Sequence, residues 1–256
     1  MLFLLELGGQ DGTRSETPDK DHFMRKLLLA AAAVISLGFA AQAQAAPELS
    51  ARAFQDGMFV PGAASTTTTG NLTILNVSSA NFSVLSTLAL GYPVLSQPDF
   101  DVRTTAVSTG NFATSHTLTF EVTQTGLTSA SAGAPLAALV SSFTTNGLIG
   151  GGGISSVTLS TYADAGNNAF SRSQLLSSVT YTSGVTNASG ALFSNPTLAN
   201  TLFSETVVIS ATFTGANAVL NTTSQMTAVP VPEPASLALF GMGLLGMGLI
   251  RRRHAG

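Results

Sequence analysis

Apolar residues form two continuous runs near the ends of the chain, separated by a long and more polar middle segment. The runs cover residues 27–41 and 235–250, and the segment between them is rich in Ser, Thr, Gly, Ala and Asn. A continuous apolar run suits a helix that is buried or lies in a membrane, whereas alternation of apolar and polar residues suits a half-buried strand. The ends and the middle of the chain therefore predict different kinds of structure.

The middle segment contains many short stretches that are rich in Thr, Val, Ile, Phe and Tyr. Their alternation predicts strands with one buried and one exposed face, and the clearest are 71–77, 117–123, 157–162, 178–182 and 205–213. Pairs such as Gly-Asn, Ser-Gly and Asn-Pro separate them and suit turns. One short helix is predicted at 135–143, because Pro135 suits a first helical turn. The whole pattern predicts a mainly β domain, either a β-sandwich or a jelly-roll-like fold.

Two of these stretches resemble each other. Residues 115–126 and 204–215 align strand for strand, and both end in Thr-x-Thr-Gly. A duplicated half-sandwich is one interpretation. The other, which we favour, is that two strands under the same alternation and turn rules look alike without duplication.

The N-terminal apolar run has the flanks of a secretory signal. Met24-Arg25-Lys26 precedes it, and Ala43 and Ala45 follow it at the two positions that a signal peptidase recognises. We therefore predict a signal peptide at 24–45. Residues 1–23 carry five acidic residues, the wrong charge for the start of a signal, so we expect translation to begin at Met24. The alternative is a real extension, which would make the apolar run an uncleaved anchor.

The charge and the residue types of the middle segment exclude several classes of function. Residues 46–231 contain seven acidic residues, three arginines and no lysine, so the basic surface that nucleic acid requires is missing, and we expect no nucleic-acid partner. Cysteine is absent from the chain, which excludes disulfides, thiolate metal ligands and a thiol nucleophile.

Few residues of the middle segment are candidates for catalysis or metal binding. His116 is its only histidine, and neither a Gly-x-Ser-x-Gly sequence nor a lysine accompanies it, so we interpret it as a solvent-facing strand residue and expect no catalytic residue. Asp99 and Asp101 share one side of an extended segment and suit calcium, but an ion pair with Arg103 explains them equally well. Residues 147–156 are glycine-rich without a phosphate-loop spacing, and we expect a flexible surface loop. We expect no metal and no cofactor.

The C-terminal run belongs to a three-part pattern. Val231 and the tripeptide Pro232, Glu233, Pro234 come first, the apolar run 235–250 follows, and three arginines close the pattern at Arg251, Arg252 and Arg253. This order resembles the PEP-CTERM sorting domain of Gram-negative bacteria. The resemblance implies that an exosortase, a membrane enzyme, recognises Pro232, Glu233 and Pro234 and cuts the chain at or near them. It also implies a cell that produces exopolysaccharide, which is a further candidate partner.

The physical properties of this segment independently suit a membrane. As a helix, its sixteen apolar-dominated residues span about 24 Å, and snorkelling arginines extend that reach toward the roughly 30 Å of a hydrocarbon core. The arginines fix their end in the cytoplasm. We therefore predict a transmembrane helix that anchors the protein transiently in the inner membrane before it reaches the cell surface or the medium.

Together these features predict three segments after residue 23: a signal peptide at 24–45, a Ser/Thr/Gly-rich β domain at 46–228 and a sorting signal at 229–256. The function that we expect is that of a non-enzymatic surface or extracellular-matrix protein. A carbohydrate-binding or adhesive module is the alternative, although the absence of Trp and the presence of only three Tyr count against a stacking platform for sugars. A secreted hydrolase is a third candidate, and the chain lacks the residues it would need.

Overall fold

The computed structural model describes residues 46–109, 112–134, 137–145, 153–182 and 188–229, together with the single residue Met242. The chain divides into two units, Met1–Gln44 and Ala45–Gly256, and all the described residues belong to the second. The predicted signal peptide lies outside the described residues, and so do Pro232, Glu233, Pro234 and the three C-terminal arginines. No helix within the described ranges is long and apolar enough to cross a membrane.

Strands make up most of the described residues. They are β1 (Glu48–Gln55), β2 (Met58–Thr67), β3 (Asn71–Val77), β4 (Phe82–Leu90), β5 (Phe100–Ser108), β6 (His116–Thr128), β7 (Leu139–Thr145), β8 (Ile154–Asp164), β9 (Gln174–Thr182), β10 (Ala188–Ser194), β11 (Leu202–Phe213) and β12 (Val219–Ala228). A single 3₁₀ turn, Ser129–Ala132, follows β6. It ends at Gly133, whose φ of +87° is a backbone conformation that glycine adopts readily.

The strands form two antiparallel sheets of six. Sheet I has the order β2-β1-β6-β11-β8-β9, and sheet II has the order β10-β7-β12-β5-β4-β3. Only some neighbours in a sheet follow one another in the sequence; β6 lies between β1 and β11, for example. The centre of each sheet therefore brings together residues that are far apart along the chain.

Besides a smaller apolar cluster that contains Leu127, Leu139 and Phe203, one large apolar core lies between the two sheets. Its buried residues come from both of them, and the ring centroids of Phe82 on β4 and Phe213 on β11 are 4.8 Å apart in an edge-to-face arrangement. The hydroxyls of Ser141 on β7 and Thr161 on β8 also meet across the interior, at 2.7 Å. The prediction of a mainly β domain is confirmed, and two sheets that share a core are the arrangement that a β-sandwich requires.

The strands singled out from the sequence all exist. The predicted strand 71–77 coincides with β3, and the other four lie within β6, β8, β9 and β11. The predicted helix at 135–143 is wrong, because Leu139–Thr145 forms β7. Burial alternates along that strand, with Leu139, Ser141, Phe143 and Thr145 inside. A period of two residues is that of a strand, so the pattern from Leu139 onward outweighs the helix-start signal of the preceding proline.

The two similar stretches form β6 and β11, which are antiparallel neighbours in the centre of sheet I. Leu118 and Phe120 point into the core from β6, and Val207 and Ile209 do so from β11. Both strands have neighbours on either side and one face towards the core, so the same residue types suit both. Their similarity therefore has a physical explanation that does not require a duplication.

Candidate functional site

His116 lies at the start of β6 and is paired with a carboxylate. Its Nδ1 is 2.8 Å from Oδ2 of Asp56, in the turn between β1 and β2, and its ring meets that of Phe112 edge to face. The other oxygen of Asp56 accepts the backbone N–H of Thr117. Burial alone raises the pKa of Asp56, but the hydrogen bonds from Thr117 and His116 outweigh it and lower that pKa below its usual value. The pair joins the turn after β1 to the start of β6.

The two carboxylates considered for calcium, Asp99 and Asp101, have separate hydrogen-bond partners. Asp101 accepts hydrogen bonds from Nε and Nη2 of Arg103, its neighbour on the same face of β5. Asp99 precedes the strand and accepts the hydroxyl of Ser96 at 3.0 Å. The glycine-rich segment predicted as a loop lies mostly outside the described residues, and Ile154–Ser156 begin β8.

Three charged side chains form a group on the outer face of sheet I. The sequence did not reveal this group. Arg52 on β1 lies directly opposite Glu121 on β6, and its Nε donates to Oε2 of Glu121 at 2.6 Å. Arg172, from the connection between β8 and β9, donates to the other oxygen. Because its two oxygens face two guanidinium groups, only 7% of the Glu121 side chain is exposed. We call Arg52, Glu121 and Arg172 the arginine cluster.

Aromatic rings surround the arginine cluster. The guanidinium carbon of Arg52 is 3.9 Å from the ring centroid of Phe170 and 5.2 Å from that of Phe54. Arg172 lies 5.9 Å from the ring centroid of Tyr162. The arginine side chains nevertheless remain 37% and 47% exposed, for Arg52 and Arg172 respectively. The outer face of sheet I therefore presents cationic and aromatic groups together, which suits contact with a polar, neutral or anionic molecule.

A tightly bonded turn positions Phe170 and Arg172. Oδ2 of Asp164 accepts both the backbone and side-chain N–H groups of Asn168, and Oδ1 accepts the hydroxyl of Ser173. Burial raises the pKa of Asp164, but these hydrogen bonds outweigh it and lower the pKa to about 2. Asp164 is thus ionised at neutral pH and holds the connection that carries Phe170 over sheet I.

The arginine cluster is suited to binding rather than to proton transfer. Both oxygens of Glu121 accept hydrogen bonds from guanidinium groups, so neither is free to contact a bound molecule. Among the described residues, no three side chains of His, Cys, Asp or Glu come together as metal ligands. The geometry on this face therefore provides hydrogen-bond donors and ring surfaces.

A second unusual carboxyl group lies inside the sandwich. Glu205 on β11 is directly opposite Gln124 on β6, and both side chains are fully buried. Neither has a hydrogen-bond partner among the described residues. Burial raises the pKa of Glu205 well above its usual value, and the nearby negative charge of Asp99 raises it further. The sequence indicates that Glu205 points inward, because it is in phase with Val207 and Ile209, two inward residues of β11.

Three solved structures are weakly similar to this chain. TmCBM61 in complex with beta-1,4-galactotriose is 15% identical, with 56% of this chain and 82% of that chain covered and a TM-score of 0.28. Arabinose-bound MgGH51 α-L-arabinofuranosidase is 12% identical, with 61% and 23% covered and a TM-score of 0.28. The enzymatically active domain of bacteriophage CBA120 tailspike protein 4 is 11% identical, with 70% and 19% covered and a TM-score of 0.26. At these TM-scores the similarities carry no argument about this chain.

No curated protein matches the sequence. A family model does match the C-terminal end: the PEP-CTERM protein-sorting motif covers residues 230–253. This range contains the Pro-Glu-Pro tripeptide, the apolar run and all three arginines on which the sequence prediction rests. Such a motif implies export, attachment to the membrane through the C-terminal segment and processing by an exosortase. The prediction from the three-part pattern is confirmed, and the chain carries a PEP-CTERM protein-sorting motif at residues 230–253.

Proposed function

We propose that this chain is a non-enzymatic surface or extracellular-matrix protein. A signal peptide cleaved after Ala45 exports the β domain, and a transient C-terminal anchor presents Pro232, Glu233 and Pro234 to the exosortase. The observation that carries the proposal is the position of the sorting motif, which begins at residue 230, directly after the last strand ends at Ala228. The domain is therefore joined to its sorting signal with almost no linker.

The sorting step is tested by replacing Pro232, Glu233 and Pro234 together with alanine. The apolar run and the arginines remain, so the variant should still insert in the membrane with its arginines in the cytoplasm, but it should lose recognition. We expect the wild type to be released with a C-terminus between Val231 and Ala235, and the triple variant to stay in the inner membrane at full length. Cell fractionation and the intact mass of the purified chain measure both outcomes.

Thr227→Ala is the matched control, since Thr227 is exposed on β12 and lies outside the matched motif. It should be sorted as the wild type is. Recovery of intact Gly256 from the membrane in wild type and triple variant alike would show a plain anchor and refute the sorting hypothesis.

Carbohydrate binding is the second candidate function, and the arginine cluster with its aromatic surroundings favours it. Exposed guanidinium groups donate hydrogen bonds to hydroxyl or carboxylate groups, and the rings of Phe170 and Phe54 supply apolar surface beside them. The ligand that we propose is the exopolysaccharide of the producing cell. The site would serve to retain the released protein in the matrix.

Arg172→Gln tests this candidate because it removes one exposed guanidinium and leaves Arg52 to pair with Glu121. We expect weaker retention of the purified protein in gels that contain the host polysaccharide, while the midpoint of thermal unfolding falls by no more than about 4 °C. Arg103→Gln, an exposed arginine on sheet II, serves as the control and should keep its retention. Equal retention of the two variants would exclude the arginine cluster as the sugar site.

A further inference from the structure

The chain leaves the folded domain only a short distance before its apolar C-terminal run. The backbone N–H of Val229 still donates to the oxygen of Ala138, and the run begins at Ala235. Residues 230–234 reach at most about 17 Å when fully extended, and the polar layer outside the hydrocarbon of a bilayer is about 5–8 Å thick. While the tail is in the membrane, the end of the domain that carries Val229 is therefore held close to the lipid surface.

This end of sheet II, which we call the C-terminal pole, consists of the ends of β4, β10 and β12 and the starts of β5 and β7. Leu90, Asp101 and Gln225 lie side by side, so the connection from β4 to β5, residues 91–99, leaves the sheet near the end of β12. Strand β5 is the direct neighbour of β12, and β4 is the next strand. The connection is therefore displaced sideways from the exit of the chain by no more than about 10 Å.

The connection 91–99 exposes two apolar side chains, Tyr92 and Val94. It is fixed to the other sheet, because Oε1 of Gln97 accepts both the backbone N–H and the hydroxyl of Thr128 at the end of β6. The fold thus holds these two side chains outward instead of burying them, although contact with water is unfavourable for their apolar surface. A tyrosine ring, apolar with one polar end, suits the headgroup level of a membrane.

Phe193 on β10 exposes a third large apolar side chain at the same pole, on the other side of the exit. It lies opposite Val140 on β7, which lies opposite Thr227 on β12, so its ring is level with the end of that strand. A single exposed apolar residue is ordinary on a protein surface. Here such residues flank the exit from both sides, two strands away in each direction, and this is the end that the short tether brings to the lipid.

Electrostatic attraction contributes little at this pole. Residues 46–256 contain no lysine, and the three arginines of the described ranges pair with Glu121 or Asp101. Anionic headgroups attract clusters of unpaired basic residues, so contact with lipid at this end has to depend on the apolar side chains.

We propose that the C-terminal pole rests on the outer surface of the inner membrane while the tail is inserted, with Tyr92 and Val94 in the headgroup layer. The proposal rests on the membrane attachment proposed above and adds an orientation of the domain to it. These side chains bury much less apolar surface than a myristoyl chain, whose membrane binding is itself marginal and reversible. The contact therefore orients the domain above the sorting motif and releases it once the tail is cut off.

The test places one fluorescent label at each end of the sandwich, which is simple because the chain contains no cysteine. Val94→Cys carries a small polar fluorophore at the C-terminal pole, where Val94 is 53% exposed. Met58→Cys is the matched control, since Met58 is 75% exposed and follows the turn in which Asp56 pairs with His116. His116 begins β6, whose 13 residues separate its two ends by about 40 Å.

The full-length chain is purified from a host without an exosortase and reconstituted in phosphatidylcholine vesicles in which some headgroups carry a nitroxide, a short-range quencher. The label at Val94→Cys should lose most of its fluorescence, and the label at Met58→Cys should lose almost none. Added NaCl should leave both values unchanged, because the contact is apolar. Both variants should keep the unfolding midpoint of the wild type, because both side chains are exposed.

A second change separates contact from mere proximity to the lipid. Tyr92→Ser, combined with Val94→Cys, should reduce the quenching of the label, because it removes an apolar ring from the contact, whereas Met58→Ser in the same background should not. Quenching that does not respond to Tyr92→Ser would show that the tether alone brings the label to the lipid, and would overturn the contact.

Flotation of the chain with the vesicles reports the membrane attachment separately. A chain that floats while neither label is quenched would overturn the orientation and leave the sorting hypothesis intact. Equal quenching of the two labels would show a domain that lies on its side, and would overturn the orientation as well. A chain that does not float would refute the C-terminal anchor and the contact together.

Discussion

At the scale of single residues, burial and available partners decide the state of each carboxyl group. Glu121 and Glu205 are both nearly inaccessible to solvent, yet one faces two guanidinium groups and the other faces an amide without partners. Glu121 is paired with Arg52 and Arg172, whereas burial and the charge of Asp99 raise the pKa of Glu205. Two glutamates of neighbouring strands thus have opposite electrostatic roles, one on each face of sheet I.

The contribution of the arginine cluster to stability is measured with Glu121→Gln. The variant keeps the volume of the side chain but leaves Arg52 and Arg172 without a charged partner. We expect the free energy of unfolding to fall by about 1–2 kcal/mol, less than for a fully buried pair, because solvent screens the half-exposed arginines. Urea denaturation of variant and wild type at pH 7 gives this difference.

Glu48→Gln in the same sheet is the control for Glu121→Gln, and it should change the free energy of unfolding by less than about 0.5 kcal/mol. If both variants unfold at the same urea concentration as the wild type, the ion pairs of the arginine cluster add no net stability. The cluster would then act only in binding.

At the scale of elements, alternation in the sequence identified strands well where each strand has one apolar face. Stretches such as 117–123 and 205–213 lie in the centre of sheet I, where both burial and pairing reinforce the pattern. The segment that contains β7 was predicted to be a helix because Pro135 supplied a helix-start signal and the repeat of Leu and Val suited a buried helical face. Burial of every second residue from Leu139 onward, which tertiary packing imposes, decides in favour of a strand.

The sequence did not reveal which strands pair with each other in the sheets. Arg52 and Glu121 are 69 positions apart and become neighbours only because β1 pairs with β6. The inward position of Glu205 could be predicted, because it is in phase with the inward residues of β11. Its position opposite Gln124 could not, because it depends on the register between β6 and β11. The C-terminal sorting motif was fully predictable, because its three parts are contiguous in the chain and need no tertiary structure to be recognised.

At the scale of the whole molecule, the last strand along the chain lies inside a sheet rather than at its edge. Strand β12 lies between β7 and β5 in sheet II, and its inward residues Leu220 and Met226 belong to the shared core. The backbone N–H of Val229 still donates to the oxygen of Ala138, at 2.9 Å. A cut that leaves the folded domain whole would therefore have to lie after Val229, as the proposed cut at or near Pro232 does.

The central place of β12 makes the boundary of the domain testable. A fragment of residues 46–229 contains every described strand, and because the two sheets share one core we expect it to be soluble, to give the far-ultraviolet circular dichroism of a β protein and to unfold in one transition. A fragment of residues 46–217 lacks only β12, but it splits sheet II between β7 and β5, leaving their edges unpaired and removing Leu220 and Met226 from the core. It should aggregate or remain unfolded. A folded 46–217 fragment with the unfolding midpoint of the longer one would show that β12 is dispensable, and the cut site would then be free to lie upstream of the sorting motif.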